Sequence, residues 1–174
     1  MSDKEQRQFV SLGVAVLTIS DTRTESTDTS GSLLVERLTG AGHELRDRAI
    51  VRDDVYAIRA TLSGWIADPQ IEVVICTGGT GVTGRDGTPE AVSVLLDKEI
   101  SGFGEIFRAI SFDDIGTSSL QSRCLAGVAN GTYVFCLPGS TNACIMGWDQ
   151  IIASQLDNRT RPCNLAELIP RLEE

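Results

Sequence analysis

The stretch 71–91 constrains this chain more than any other. An apolar run, Ile71-Glu72-Val73-Val74-Ile75-Cys76, empties into Thr77-Gly78-Gly79-Thr80-Gly81 and then into Gly84-Arg85-Asp86-Gly87-Thr88-Pro89-Glu90-Ala91. A short run filled with branched residues predicts a strand buried on both faces, as in a parallel sheet. Glycines just past its end let the backbone turn where side chains would clash. Thr88 suits an N-cap and Pro89 the first helical position, so a helix is predicted from Glu90 with its N-terminus facing the loop. Unpaired N–H groups and the positive end of the helix dipole favour a phosphate or carboxylate there.

Two familiar phosphate motifs fail at this loop. Gly79 and Gly84 have the Walker spacing, but Arg85 and Asp86 stand where Lys and Ser/Thr would grip phosphate and magnesium. Gly79, Gly81 and Gly84 spell G-x-G-x-x-G, yet the helix starts too late, and no strand with a ribose-binding acid follows at the expected distance. An NAD-binding Rossmann domain is therefore disfavoured. What sets the loop apart is Asp86, an acid beside an anion site, which repels phosphate unless a cation such as Mg2+ lies between them. The plainer role for Asp86 is to cap the helix or turn the loop.

Composition narrows the ligand class. At 174 residues the chain suits a single domain, 1–174, large enough to bury a core without staples. Its net charge of −9 argues against a nucleic-acid partner, which needs a basic surface to displace counterions. An anionic ligand must then be held locally, by backbone amides, a few arginines and a metal ion. With no long apolar segment and a polar start, a cytoplasmic protein with no membrane partner is expected. Five cysteines (76, 124, 136, 144 and 163) without a C-x-x-C predict free thiols. The single histidine, His43, reads as a strand-edge residue and leaves little for a histidine metal cage or a Ser-His-Asp triad.

The rest of the chain alternates strands and helices. Val14 to Ile19 predicts a first strand ending in Ser20-Asp21, followed by a mobile polar loop, Thr22 to Ser30. Leu33, Leu34 and Leu38 give a helix stopped by Gly40-Ala41-Gly42. Glu44 to Val51 reads as a strand near a sheet edge, and the spacing of Val55, Ile58, Leu62 and Trp65 predicts a helix over about 54–67, capped by Asp53 or Asp54. In a parallel sheet the acids after the second and third strands, Asp53 and Asp86, lie on one edge, where they can share a divalent cation. Gly102 to Phe112 predicts a helix whose Phe103, Phe107 and Ile110 face the core or an oligomer contact. Leu120 to Ala126 is expected to be a short helix carrying Ser122 and Arg123. Thr132 to Leu137 is a strand ending in Pro138-Gly139-Ser140, with Thr141 and Asn142 as caps of the next helix. The class is α/β, a mostly parallel sheet covered on both faces, with ligand loops at the carboxyl edge of its strands.

Several of these motifs, in this order and spacing, resemble the MoaB/MogA family of molybdenum cofactor biosynthesis. They are Ile19-Ser20-Asp21, Asp28-Thr29-Ser30-Gly31, Thr77-Gly78-Gly79-Thr80-Gly81, Arg85-Asp86-Gly87-Thr88-Pro89-Glu90-Ala91, Gly102-Phe103-Gly104-Glu105, Ser122-Arg123 and Leu137-Pro138-Gly139-Ser140. Thr160-Arg161-Pro162-Cys163-Asn164 looks like the MoaB branch, and the resemblance covers about residues 12–164. It implies a three-layer α/β/α sandwich of Rossmann-like type, assembled as a trimer or a hexamer. It also implies Mg2+- and ATP-dependent adenylylation of molybdopterin with release of pyrophosphate, with other enzymes of that pathway as partners. By position, Asp53 and Asp86 match the family's metal-associated, catalytic acids, and Gly78, Gly79, Thr80, Gly81, Pro138, Gly139 and Ser140 match its nucleotide loops. Ser20, Asp21, Ser111, Ser122, Arg123 and Asn142 match substrate positions, with Ser111, Ser122 and Arg123 near the pterin phosphate. A non-catalytic molybdopterin-binding or assembly protein is the alternative; two adjacent acids favour the enzyme, because a pure binder of phosphates gains little from them.

Overall fold

In the computed structural model, which describes residues 7–173, the first strand explains the layering. β1 (Gly13–Ile19) is buried along its whole length. Val14 and Val16 point into one apolar cluster with Leu34 and Leu38, while Ala15, Leu17 and Ile19 point into another with Ile58, Leu62 and Trp65. A strand that alternates between two apolar layers needs helices on both sides of its sheet. Those helices are α1 (Thr29–Gly40) on one face and α2 (Val55–Ile66) on the other. Each buried Leu among them contributes roughly 1.5–3 kcal/mol of burial.

The chain continues through β2 (Glu44–Val51), β3 (Val73–Thr77), α3 (Thr88–Ser93), β4 (Lys98–Glu99), α4 (Ser101–Ile115), β5 (Leu125–Ala129), β6 (Thr132–Leu137), α5 (Thr141–Gly147) and α6 (Ala153–Leu156). A π-helical stretch, Trp148–Ile152, joins α5 to α6, and 3-10 turns occupy Gly116–Gln121 and Ala166–Arg171. The sheet order is β2-β1-β3-β6-β5-β4. β2, β1, β3 and β6 are parallel, and β5 runs against β6 and β4. β2 lies at the edge, as its polar sequence predicts. The order reverses between β1 and β3, which opens a crevice at the carboxyl ends of these strands.

Several expectations change. Residues 120–126 do not form a helix; a 3-10 turn ends at Gln121 and β5 begins at Leu125. Ala126, Gly127, Val128 and Ala129 fit a tightly covered strand, and a Cβ on Gly127 would lie 2.5 Å from the Lys98 carbonyl of β4. β5 turns into β6 through Asn130 and Gly131, at φ 47° and 78°, the left-handed pair of a two-residue hairpin. Phe103 and Phe107 are buried in the protomer's own core, so they are not an oligomer contact. His43 is buried too: its Nδ1 accepts a hydrogen bond from Leu12 N–H at 3.3 Å, and its ring packs between Phe9 and Trp148. Burial pushes its pKa down, which suits a neutral core group. All five cysteines are free, and only Cys163 is exposed.

Candidate functional site

The carboxyl ends of β1, β2, β3 and β6 meet around the glycine loop. Gly78 leaves β3 at φ 107° with its N–H donating to Leu137 O of β6 at 3.0 Å. A Cβ there would lie 2.1 Å from the Ile19 carbonyl of β1, so only glycine lets the three strand ends close together. Gly79 follows at φ 65°, where a Cβ would lie 2.9 Å from an Asp53 carboxylate oxygen. A Cβ on Gly81 would lie 2.7 Å from an Asp86 carboxylate oxygen. The two acids expected to meet are thus laid against one glycine loop.

Neighbouring acids divide the work after β2. Asp54 caps α2, accepting from Tyr56 and Ala57 N–H at 3.0 and 2.8 Å. Asp53, relieved of capping, turns into the crevice and accepts from Gly87 N–H at 3.1 Å. Burial, with Asp86 and Asp21 nearby, pushes Asp53 above the ordinary carboxylate range. Asp86 goes the other way. It accepts from Thr83 Oγ1 at 2.6 Å and Thr83 N–H at 2.9 Å, and these bonds, the hydroxyl's above all, hold it charged.

Asp86 therefore turns the loop but does not cap α3. The N-cap is Gly87, not Thr88, and it offers no side-chain bond. The Thr88 hydroxyl instead donates to Gly78 O at 2.8 Å, bracing the loop from inside. α3 spans only six residues, so the acids and the glycine backbone define this corner more than a helix dipole does.

Among the other expected residues, Ser20 and Asp21 join this cluster. Ser20 N–H donates to Val51 O, and its hydroxyl accepts from Thr22 and Arg23 N–H at 3.2 and 3.1 Å. Asp21 accepts from Asp53 N–H at 3.3 Å and binds the Arg85 guanidinium at 2.6 Å. The loop after Ser20 is internally bonded: Thr24 pairs with Thr27, and Arg23 Nη1 donates to Thr27 O at 2.5 Å. Asp28, buried at 2% exposure, caps α1 through Gly31 N–H and accepts from Thr18 Oγ1 and Arg48.

The second loop lies beside the first. Thr77 Oγ1 donates to Pro138 O at 2.9 Å, and Ser30 Oγ donates to Gly139 O at 2.9 Å. Ser140 caps α5, accepting from Ala143 N–H at 3.2 Å, one residue before the expected caps Thr141 and Asn142. Ser111 and Asn142 lie on α4 and α5, Ser111 buried between the two helices and Asn142 on the open groove beside them. Ser111 Oγ lies 3.3 Å from Met146 Sδ, and Asn142 lines an open cavity of about 530 Å3 with Asp113, Asp114 and Gln150. Ser122 Oγ is buried without a hydrogen-bond partner. Arg123 faces the glycine loop, donating to Gly81 O and Asp86 O and pairing with Glu90. Thr83, Arg85 and Glu90 were missed as site members; Thr83, three residues before Asp86, carried the visible signal of a side-chain-closed turn.

Among the described residues, no group of three or more His, Cys, Asp or Glu side chains is placed to hold a metal ion by itself. Two carboxylates against a glycine backbone nevertheless suit a cation such as Mg2+, which takes one or two protein carboxylates and completes its shell with water and substrate phosphates. Burial raises Asp53 most, with repulsion from Asp86 and Asp21 behind it, and such a cation would offset both.

A crevice of this kind, at the reversal point of an α/β/α sandwich, belongs to a defined class of domain. The family of probable molybdopterin binding domains matches residues 15–158. Molybdenum cofactor biosynthesis protein B of Escherichia coli K12 is 54% identical over 157 residues, covering 90% of this chain and 92% of that protein. A crystal structure of a molybdenum cofactor biosynthesis protein B superposes with a TM-score of 0.84 at 44% identity, over 86% of this chain and 94% of that one. The tungsten cofactor synthesizing protein MoaB of Pyrococcus furiosus gives 0.75 at 38% identity, over 83% and 92%. The chain belongs to the MoaB/MogA family of molybdenum cofactor biosynthesis proteins.

Proposed function

We propose that this protein adenylylates molybdopterin with Mg2+ and ATP. The observation that carries the reading is the pair Asp53 and Asp86, lodged against one glycine loop at the strand ends. A terminal phosphate oxygen of molybdopterin attacks the α-phosphorus of ATP. One P–O bond forms, the bond to the β-phosphate bridge breaks, and pyrophosphate leaves with the electron pair. Transfer of this kind is mostly positioning and charge neutralisation. Asp53 and Asp86 would hold Mg2+, which supplies positive charge to the phosphate oxygens.

Gly78 N–H is taken by Leu137 O, so the phosphate cradle falls to the amides of Gly79, Thr80 and Gly81, the last beside the Asp86 carboxylate. Pro138, Gly139 and Ser140 form the wall on the β6 side. The groove lined by Asn142, with Ser111 buried beneath it, would take the pterin, and Ser20 and Asp21 border the crevice of the acids. The exposed apolar side chains Ile106, Phe112, Ile115 and Leu120 on α4 and the following turn suit a trimer or hexamer. A monomer by light scattering at micromolar concentration would contradict that assembly.

The test follows label from ATP carrying 32P at the α-phosphate. Its appearance on molybdopterin with one pyrophosphate released per transfer, only when Mg2+ is present, is expected. A folded protein that binds molybdopterin but transfers no label would leave a binding or assembly protein.

A further inference from the structure

Among the described residues, Arg123 is the side chain that bonds both Gly81, where the Asp86 loop begins, and Asp86 itself. Its backbone N–H donates to Thr80 O at 3.0 Å, and its Nε donates to Gly81 O at 2.7 Å. Its Nη2 donates to Asp86 O at 2.7 Å, while its Nη1 pairs with Glu90 in the first turn of α3. One planar fork thus spans the chain from where it enters the loop to where it leaves. Residues 82–85 between those points are exposed, tied by the Thr83–Asp86 bonds within the loop and by the surface pair Arg85–Asp21. All three guanidinium nitrogens are engaged by the protein itself. These bonds take three of its five N–H groups and fix the plane of the fork, so a phosphate could be met only by the two that remain, in the orientation the loop sets.

We propose that Arg123 is a positioning residue that clamps the Asp86 loop in the shape that receives the metal–nucleotide, and that it is not a ligand of the pterin phosphate. The proposal rests on the reading that Asp53 and Asp86 receive a divalent cation with ATP. A planar guanidinium can hold two carbonyls and a carboxylate in one arrangement, which an ammonium cannot. The charge of Arg123 also helps, behind the Thr83 bonds, to keep Asp86 ionised.

The test is a titration of the whole protein with Mn2+ and the non-transferable analogue α,β-methylene-ATP, reading free Mn2+ by electron paramagnetic resonance. Molybdopterin affinity is measured separately. Arg123→Ala is expected to weaken Mn2+–nucleotide binding roughly ten- to a hundredfold, as loss of a residue that orients a metal ligand does, with pterin affinity unchanged. Arg123→Lys is expected to recover only part of the loss. Glu90→Gln, which leaves both carbonyl bonds in place, should give a shift of only about threefold in the same direction. The lysine and glutamine variants carry the test if the alanine variant does not fold. Metal–nucleotide affinity that all three variants retain, with pterin affinity lost in Arg123→Ala, would overturn the clamp alone. A parent protein with no Mn2+–nucleotide affinity would overturn the nucleotide reading and the clamp with it.

Discussion

The two strand–turn–helix units at the site share a plan and differ in what fills the turn. β6 passes through Pro138-Gly139-Ser140 straight into a helix whose first amides Ser140 satisfies. β3 takes ten residues, 78–87, to reach a six-residue helix whose N-cap, Gly87, offers no side chain. The short turn is closed by its own cap and by Ser30 and Thr77. The long one is held by Thr83, Thr88 and Arg123, and sets Asp86 against Gly81 while Asp53 lies against Gly79. The short turn, closed by one cap and two neighbouring hydroxyls, can serve as a wall. The long one also takes a guanidinium from 37 residues away, and so can present carboxylates at an angle its own sequence would not enforce.

The glycines should separate the two turns most. Gly78→Ala places a Cβ against the Ile19 carbonyl at φ 107°, and an unfolding free energy lowered by about 3 kcal/mol or more is expected in urea titration. Gly139→Ala meets the Gly78 backbone less closely, its Cα at 3.3 Å and its N at 3.8 Å, and should cost under about 1 kcal/mol. Equal losses would show that the turns are not built differently. Next in size, Ser140→Ala removes the α5 cap and should cost about 1 kcal/mol by the same titration.

The smallest effect concerns charge. Asp53 has its folded pKa raised, so the folded chain holds a proton there that the unfolded chain has released. Stability is then lost as pH rises through the window between the ordinary carboxylate value and the raised one. Asp53→Asn should gain about one or two degrees in Tm at pH 7, and the gain should fade below about pH 4. A loss at pH 7 would mean that the carboxylate is needed to hold Gly87.

Much of this was legible in the sequence because backbone chemistry wrote it there. β2 and β6 lie where their side-chain patterns put them, and Asp54 and Ala67 close α2 at both ends. That Asp53 and Asp86 lie on one sheet edge, against one glycine loop, followed from two acids after parallel strands, although β1 stands between β2 and β3. The antiparallel flank was lost because Leu125 to Ala129 is made of small residues with no strong period, although Asn130-Gly131 ahead of Thr132 was a hairpin signal. The ties of Arg123 to the loop were illegible for another reason. Its partners are backbone carbonyls 37 and 42 residues away, and a carbonyl leaves no mark in a sequence.

The measurement that bears most directly on the site is single-turnover formation of adenylylated molybdopterin by the parent, Asp86→Asn and Asp53→Asn under saturating Mg2+-ATP. The account predicts a rate lower by roughly a thousandfold in each variant with molybdopterin affinity retained. Full-rate transfer by either variant would contradict the claim that both carboxylates serve the reaction.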